Sequence, residues 1–296
     1  MTPSEVGEAA QLACLLEVSA PKPGNVSPGR PFHDTTYEDF LASAAAIGPV
    51  LAAAGEAPLG TTICSAIAET RRLTRANTNL GMILLLAPLC RAARRPGDDL
   101  RARVRQVLAE TTVADAISVY QAIRLAAPSG LGASATQDVA SEPTISLRAA
   151  MSLAAERDSI AREYVTDFAI TFERGAPSLQ AALADGLSWS DAVVESYLGL
   201  LAAIPDSHVS RKLGPEAAAE ITRRGAEIRG VGGVRTTKGR AALAAFDAEL
   251  RDDRNTRNPG TTADLTAAAI CAIILMHGWP STREGSGAEQ VSRRGQ

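Results

Sequence analysis

At 296 residues the chain has room for one large domain or two smaller ones. With 46% apolar and 21% charged residues it can build a substantial core, which excludes a disordered chain. The net charge of −3 argues against a general nucleic-acid or membrane-surface binder. Aromatic residues make up only 4%, and alanine supplies much of the apolar content. Alanine is the best helix former and a poor strand former, so the composition favours closely packed helices.

The helical period dominates in chain order. Apolar residues fall on one broad face over residues 6–18, 37–54, 61–73, 82–93, 100–125 and 146–172. The same pattern continues over 179–184, 192–204, 216–228, 238–250 and 264–276. No segment alternates strictly, and β-branched residues are nowhere clustered as in a buried strand. The expectation is an all-α fold: a single compact multi-helix domain over 1–280, with a cleft formed by interhelix loops. The polar tail 281–296 is expected to be disordered.

Cys14, Cys64, Cys90 and Cys271 are far apart and lie in apolar helical patterns, which predicts buried free thiols rather than zinc ligands or disulfides. The acidic start of the chain lacks a signal-peptide pattern, and the apolar runs 82–89 and 267–276 are too short to cross a bilayer. A cytoplasmic protein with no membrane or nucleic-acid partner is expected, and homo-oligomerisation is left open.

Five irregular segments interrupt the helices: 20–34, 128–143, 205–215, 229–237 and 252–262. The first carries four prolines and two glycines, the mark of a shaped loop. It presents Lys22, Asn25, His33 and Asp34, a set suited to phosphate or metal. Only Lys22, Lys212 and Lys238 are lysines among 30 basic residues, and all three lie between helix patterns.

Asn77-Thr-Asn-Leu-Gly81 opens an apolar helix, with Asn77 or Thr78 as its cap. The stretch 128–138 is polar and flexible and ends in the carboxylate of Asp138. Beyond it, Glu156/Asp158 and Arg157/Arg162 read as intrahelical charge pairs. Asp206-Ser-His-Val-Ser-Arg-Lys212 packs a carboxylate, an imidazole and two cations into a loop bounded by prolines. Arg229-Gly-Val-Gly-Gly-Val-Arg-Thr-Thr-Lys238 is as well suited to a surface loop as to an anion nest. Before the last helix, Thr261 and Asp264 have capping-box spacing, and the same helix start could serve as an anion site edged by a carboxylate. His277 reads as a dipole partner at the end of that helix.

Taken in order, Glu17 with Pro21-Lys-Pro-Gly24, His33-Asp34, Asn77–Gly81, Asp206–Lys212 and Pro259-Gly-Thr-Thr-Ala-Asp-Leu265 resemble the triphosphoribosyl-dephospho-coenzyme A synthase family. The resemblance covers the chain apart from its tail. Ser27 stands where members often carry aspartate, and Leu80 where they usually carry lysine. It implies an all-helical pentosyltransferase that moves the 5-triphosphoribosyl group of ATP to the 2′-hydroxyl of dephospho-coenzyme A and releases adenine.

On that reading Asp34, Asp206 and Asp264 are candidates for Mg2+ or another divalent ion, and His33, Asp34, Asp206 and His208 for proton transfer. Glu17, Lys22, Gly24, Asn25, Asn77, Thr78, Asn79, Arg211, Lys212, Gly260, Thr261 and Thr262 would form the nucleotide site. Two other readings stand beside it: a related pentosyltransferase with another acceptor, such as a pterin precursor, and a non-catalytic nucleotide-binding protein.

Overall fold

The computed structural model describes residues 1–128 and 136–279; the predicted tail and part of the 128–138 stretch lie outside them. Fourteen α-helices run through the described residues. They are α1 (Pro3–Ser19), α2 (Tyr37–Ala52), α3 (Leu59–Leu73), α4 (Leu80–Ala93), α5 (Leu100–Ala109), α6 (Val113–Ala126) and α7 (Leu147–Ser152). There follow α8 (Ser159–Val165), α9 (Ala176–Ala184), α10 (Trp189–Leu201), α11 (Ser207–Leu213), α12 (Pro215–Gly230), α13 (Thr237–Leu250) and α14 (Gly260–His277). Among the described residues no strand forms, and the only β-type pairing is an isolated bridge between Ser27 and Arg30. The expected all-α fold is what the chain adopts.

The core is organised around α14. Its 18 residues, with mean hydropathy 1.4, are long and apolar enough to cross a membrane, unlike the shorter run visible in the sequence. A helix apolar on all sides must be covered on all sides. Here α1, α4, α9, α10 and α11 pack around it, and Ala267, Ala268, Ala269 and Ala272 are buried at those contacts. Small side chains let the neighbouring helices approach closely. Cys14, Cys90 and Cys271 are buried free thiols as expected, whereas Cys64 is only half-buried.

Three predicted elements divide differently, each for a local reason. The single helix expected over 100–125 is two, because Thr112 starts α6 with a reciprocal capping box. Its hydroxyl accepts from Asp115 N at 3.2 Å, and Asp115 accepts from Thr112 N at 2.8 Å. The helix expected over 146–172 is α7, α8 and a π-helical turn, Thr171–Gly175. Asp158 caps α8 by accepting from Ile160 N and Ala161 N, and Asp167 and Phe168 take positive φ just beyond it.

The expected pairings Glu156/Asp158 and Arg157/Arg162 therefore do not form within one helix. Arg162 instead donates to the Ala155 and Glu156 carbonyls. Lastly, the supposed loop at 205–215 contains a helix, α11, capped by Asp206.

Glu163 shows how the π-helical turn is held. Fully buried, it accepts from Ile170 N at 2.9 Å, Thr171 N at 2.7 Å and Thr171 Oγ1 at 2.6 Å. Burial outweighs these bonds and pushes its carboxyl up to about 7. In the unfolded chain the same group titrates near 4.5, so the folded state binds the extra proton between those values. Stability is therefore greatest below the lower value and falls as pH rises through about 7. Denaturation between pH 5 and 8 should show a loss of up to ~3 kcal/mol in the wild type that is absent from Glu163→Gln.

Candidate active site

The loop after α1 is built from two successive Pro-Gly turns. In Lys22-Pro-Gly-Asn25 the Asn25 N–H donates to the Lys22 carbonyl at 3.2 Å, with Gly24 at φ +73°. In Ser27-Pro-Gly-Arg30 the Arg30 N–H donates to the Ser27 carbonyl at 2.9 Å, with Gly29 at φ +74°. Proline at the second position and a positive-φ glycine at the third make the type II pattern. The first turn is welded to the core. Gly24 N donates to Asp247 Oδ1 at 2.8 Å, and Asn25 Nδ2 donates to the Tyr197 hydroxyl at 3.0 Å.

Lys22 is buried, and its ammonium pairs with Glu17 Oε1 at 2.9 Å. It also donates to the carbonyls of Glu17 and Ala20. Three acceptors match its three N–H bonds, so its donors are engaged within the loop. Burial pushes the Glu17 carboxyl up, and the Lys22 charge and hydrogen bond pull it back.

At the start of α14 the predicted capping box is absent. Pro259 takes the cap position without a side-chain bond, and Thr261 and Asp264 are both already inside the helix. The missing cap comes from another element: Asp206 Oδ2 accepts from Thr262 N at 2.7 Å and Thr262 Oγ1 at 2.8 Å. Its Oδ1 caps α11 through Val209 N at 2.9 Å. Ser207 then links three helix starts, donating to Thr261 Oγ1 at 3.0 Å and accepting from Ser159 N at 3.3 Å.

With its capping role taken over, Asp264 makes no hydrogen bond or ion pair among the described residues. Its carboxylate lies over the second residue of α4, where a Cβ on Gly81 would stand 2.0 Å from Asp264 Oδ2. Only glycine fits there. Burial pushes the Asp264 carboxyl well up, and the charges of Glu17, Asp206 and Asp158 add to the effect, partly opposed by Arg211. The starts of α4, α8, α11 and α14 thus meet around one unpartnered carboxylate.

Cations and imidazoles line the α11 side. Arg211 donates to His208 Nδ1 at 3.2 Å and reaches Asp158 at 3.4 Å. Burial, with the charges of Lys212 and Arg211, lowers His208 to about 3, so its ring is neutral at ordinary pH. Lys212 is also pushed down, by burial and then by Arg211, and donates to the Asn255 carbonyl at 3.5 Å. Asn255 Nδ2 donates to His33 Nδ1 at 3.0 Å, and His33 Nε2 stands 3.7 Å from Asp34 Oδ2 on the exposed rim. Gly260 packs against the His208 ring.

On α4 the cap position belongs to Asn79, not to Asn77 or Thr78 as expected. Asn77 still contributes, since its Oδ1 accepts from Leu80 N at 3.3 Å. Thr78 bonds Ser43 at 2.5 Å, while Asn79 donates to Thr70 and keeps a buried Oδ1 that has no partner among the described residues.

Three of the five irregular segments therefore come together: 20–34, 205–215 and 252–262. The glycine-rich segment packs elsewhere, with Val234 N on Glu195 and Arg235 on Asp185. The described part of 128–143 lies on α6, where Tyr120 donates to the Gln137 carbonyl. Arg30, Asp247 and Arg251 escaped the sequence reading, and Asp158 was read only as half of an intrahelical pair. The repeated Pro-Gly pair was the available signal for Arg30.

The donors suit a hard cation in a limited way. Both oxygens of Asp264 are unspent and its neighbours are acidic, so a cation would relieve it. Those of Asp206 are already used, and Asp34 lies at the exposed rim. Among the described residues no three His, Cys, Asp or Glu side chains are arranged to hold an ion by themselves. Magnesium commonly takes one or two carboxylates together with substrate phosphates, which fits a lone Asp264.

Fold and site define an all-helical protein whose helix starts gather around one unpartnered carboxylate. The sequence profile of CitG, ATP:dephospho-CoA triphosphoribosyl transferase, matches residues 3–283, and the chain belongs to that family. A crystal structure from Archaeoglobus fulgidus, solved as a candidate triphosphoribosyl-dephospho-CoA synthase, is 32% identical with a TM-score of 0.64. The match covers 81% of this chain and 100% of that one. The comparison with curated proteins gives no match.

The Glu17–Lys22 pair yields a stability test. Lys22→Met strands a buried carboxylate and should cost ~3–5 kcal/mol in urea denaturation. Adding Glu17→Leu should restore most of that loss, whereas additive losses would show that the pair is not coupled.

Proposed function

We propose that the chain transfers the 5-triphosphoribosyl group of ATP to the 2′-hydroxyl of 3′-dephospho-CoA. The C1′–N9 bond of ATP breaks and a bond from C1′ to the acceptor oxygen forms. The hydroxyl proton leaves, and adenine departs with a proton gained at nitrogen. The observation that carries the reading is the meeting of four helix starts around Asp264, beside Arg211 and Lys212, in a chain of this family. The N–H groups at these starts are largely spent on Asp158, Ser207, Asp206 and Asn77, so the formal charges of Arg211 and Lys212 are what would attract the triphosphate.

Asp264 is the carboxylate we assign to magnesium, shared with phosphate oxygens. Bound there, the ion would neutralise charge on the triphosphate. Displacement at an anomeric carbon passes through an oxocarbenium-like state, so the enzyme must hold the ribose and both reacting groups in line.

His33 would take the hydroxyl proton at Nδ1, the nitrogen that Asn255 occupies and would have to yield, with Asp34 beside its Nε2 to steady the charged ring. His208 is too weak a base for that task. Its neutral ring acts as a hydrogen-bonding wall held by Arg211. Glu17 and Lys22 shape the site and contribute charge through space. Since both substrates are soluble metabolites, the cytoplasm is the expected location.

Asp264→Asn removes a charge that its surroundings disfavour, so the variant should melt no lower than the wild type. Adenine release should nevertheless fall at least ~100-fold. Gly81→Ala displaces the same carboxylate sterically and should lower release ~10-fold or more. Near-normal release by Asp264→Asn would remove Asp264 from the chemistry. No adenine release by the wild type with ATP, magnesium and dephospho-CoA would defeat the reaction itself.

A further inference from the structure

A groove with an excess of positive charge lies at the second turn of the Pro-Gly loop. It is shallow and open, about 370 Å3 in volume, and lies between the second turn and α13, lined by Arg30, Pro31, Ala244, Asp247, Ala248 and Arg251. The charges in it do not balance. Asp247, whose side chain is 7% exposed, accepts from both Arg30 and Arg251 on the same Oδ2, leaving two guanidiniums to one carboxylate. Its other oxygen is taken by Gly24 N.

Arg251 is fixed from three sides: Nε donates to Asp247 at 3.0 Å, NH2 donates to the Asn25 carbonyl at 2.6 Å, and the Phe32 ring lies 5.9 Å beneath. Arg30 has one contact among the described residues, the pair with Asp247, and its side chain is 51% exposed. A guanidinium carries five donors, so most of its fork faces the groove unused. The rigid Ser27–Arg30 turn fixes where its backbone starts.

We infer that this groove binds the diphosphate of the acceptor nucleotide. The inference rests on the reaction proposed above and adds where the second substrate sits. Paired guanidiniums match phosphate oxygens in a planar, forked geometry, and the groove has no unspent carboxylate to repel them or to recruit a metal. Of the two substrates, the acceptor is the one with a diphosphate bridge. Its position also suits: Arg251 holds Asn25, and Asn25 closes the turn that begins at Lys22. Gly24 of the same turn abuts Leu250 at the end of α13 and Pro259 at the start of α14, so the groove and the α14 start flank one turn.

The test compares wild type, Arg30→Gln and the surface control Arg174→Gln in adenine-release kinetics and in calorimetric titration with dephospho-CoA. For Arg30→Gln the KM and Kd for dephospho-CoA should rise ~10-fold or more, with the KM for ATP within about twofold of wild type. Pantetheine, which lacks phosphate altogether, should bind wild type and Arg30→Gln alike, and Arg174→Gln should behave as wild type. An unchanged Kd for dephospho-CoA, or a loss that falls on ATP, would overturn the assignment. A wild type that binds dephospho-CoA but releases no adenine would defeat the proposed reaction, and the titration would still decide the groove. Failure of the wild type to bind dephospho-CoA would defeat the groove as well.

Discussion

Asp206 is the residue on which the site's architecture depends. One of its oxygens caps α11 and the other supplies the cap that α14 lacks. A helix start leaves four N–H groups unsatisfied, and a side chain three residues ahead usually meets that need. In α14 the need is met from a different helix, which fixes α11 and α14 to each other and leaves Asp264 without a structural task. Burial pushes Asp206 up while hydrogen bonds from Val209, Thr262 and His208 pull it down. The network is thus both a joint and the means by which a buried charge is tolerated.

The Pro-Gly loop follows from a second constraint. Each turn sets a basic residue at its end: Lys22 begins the first and is buried, and Arg30 closes the second and is half-exposed. Lys22 turns back onto the end of α1 and Arg30 reaches across to α13, so one short loop sends its two basic side chains to different helices. Gly24 must be glycine for φ and also for space, because a Cβ there would meet Leu250 at 2.9 Å. The turn is therefore pressed onto the end of α13, which brings Asp247 and Arg251 within reach of it.

The helical periodicity was legible because burial on one face leaves a 3.6-residue trace, as in α2, α3 and α13. The breaks inside 100–125 and 146–172 were not, because the apolar spacing continues across them. Thr112 and Asp158, acting as caps, and the positive-φ pair Asp167 and Phe168 interrupt the backbone. At the site, the chemical types at Asp206, His208, Arg211 and Lys212 were visible as density in one segment. Their division of labour was not, since a capping aspartate and an unpartnered one are the same letter. Thr261 and Asp264 are the instructive pair: the spacing fits a capping box, but helix α14 begins two residues too early to form it. Asp247 and Arg251 were missed because an i, i+4 pair on a helix looks like any surface ion pair until Arg30 arrives from 217 residues away.

The electrostatic balance of the two faces separates their tasks. Around Asp264 the carboxylates outnumber the cations in immediate contact: Glu17 already has Lys22, and Asp158 is in reach of Arg211. Such a site is relieved by bringing in positive charge with the substrate, as a metal-bound triphosphate does. In the Arg30–Arg251 groove the excess is positive and no free carboxylate remains, so it is relieved by an anion alone. A metal-bound anion and a bare one would therefore sort to different sides of the same loop. That sorting orients two adenine nucleotides of similar shape, one to be cleaved at its ribose and the other to receive the group.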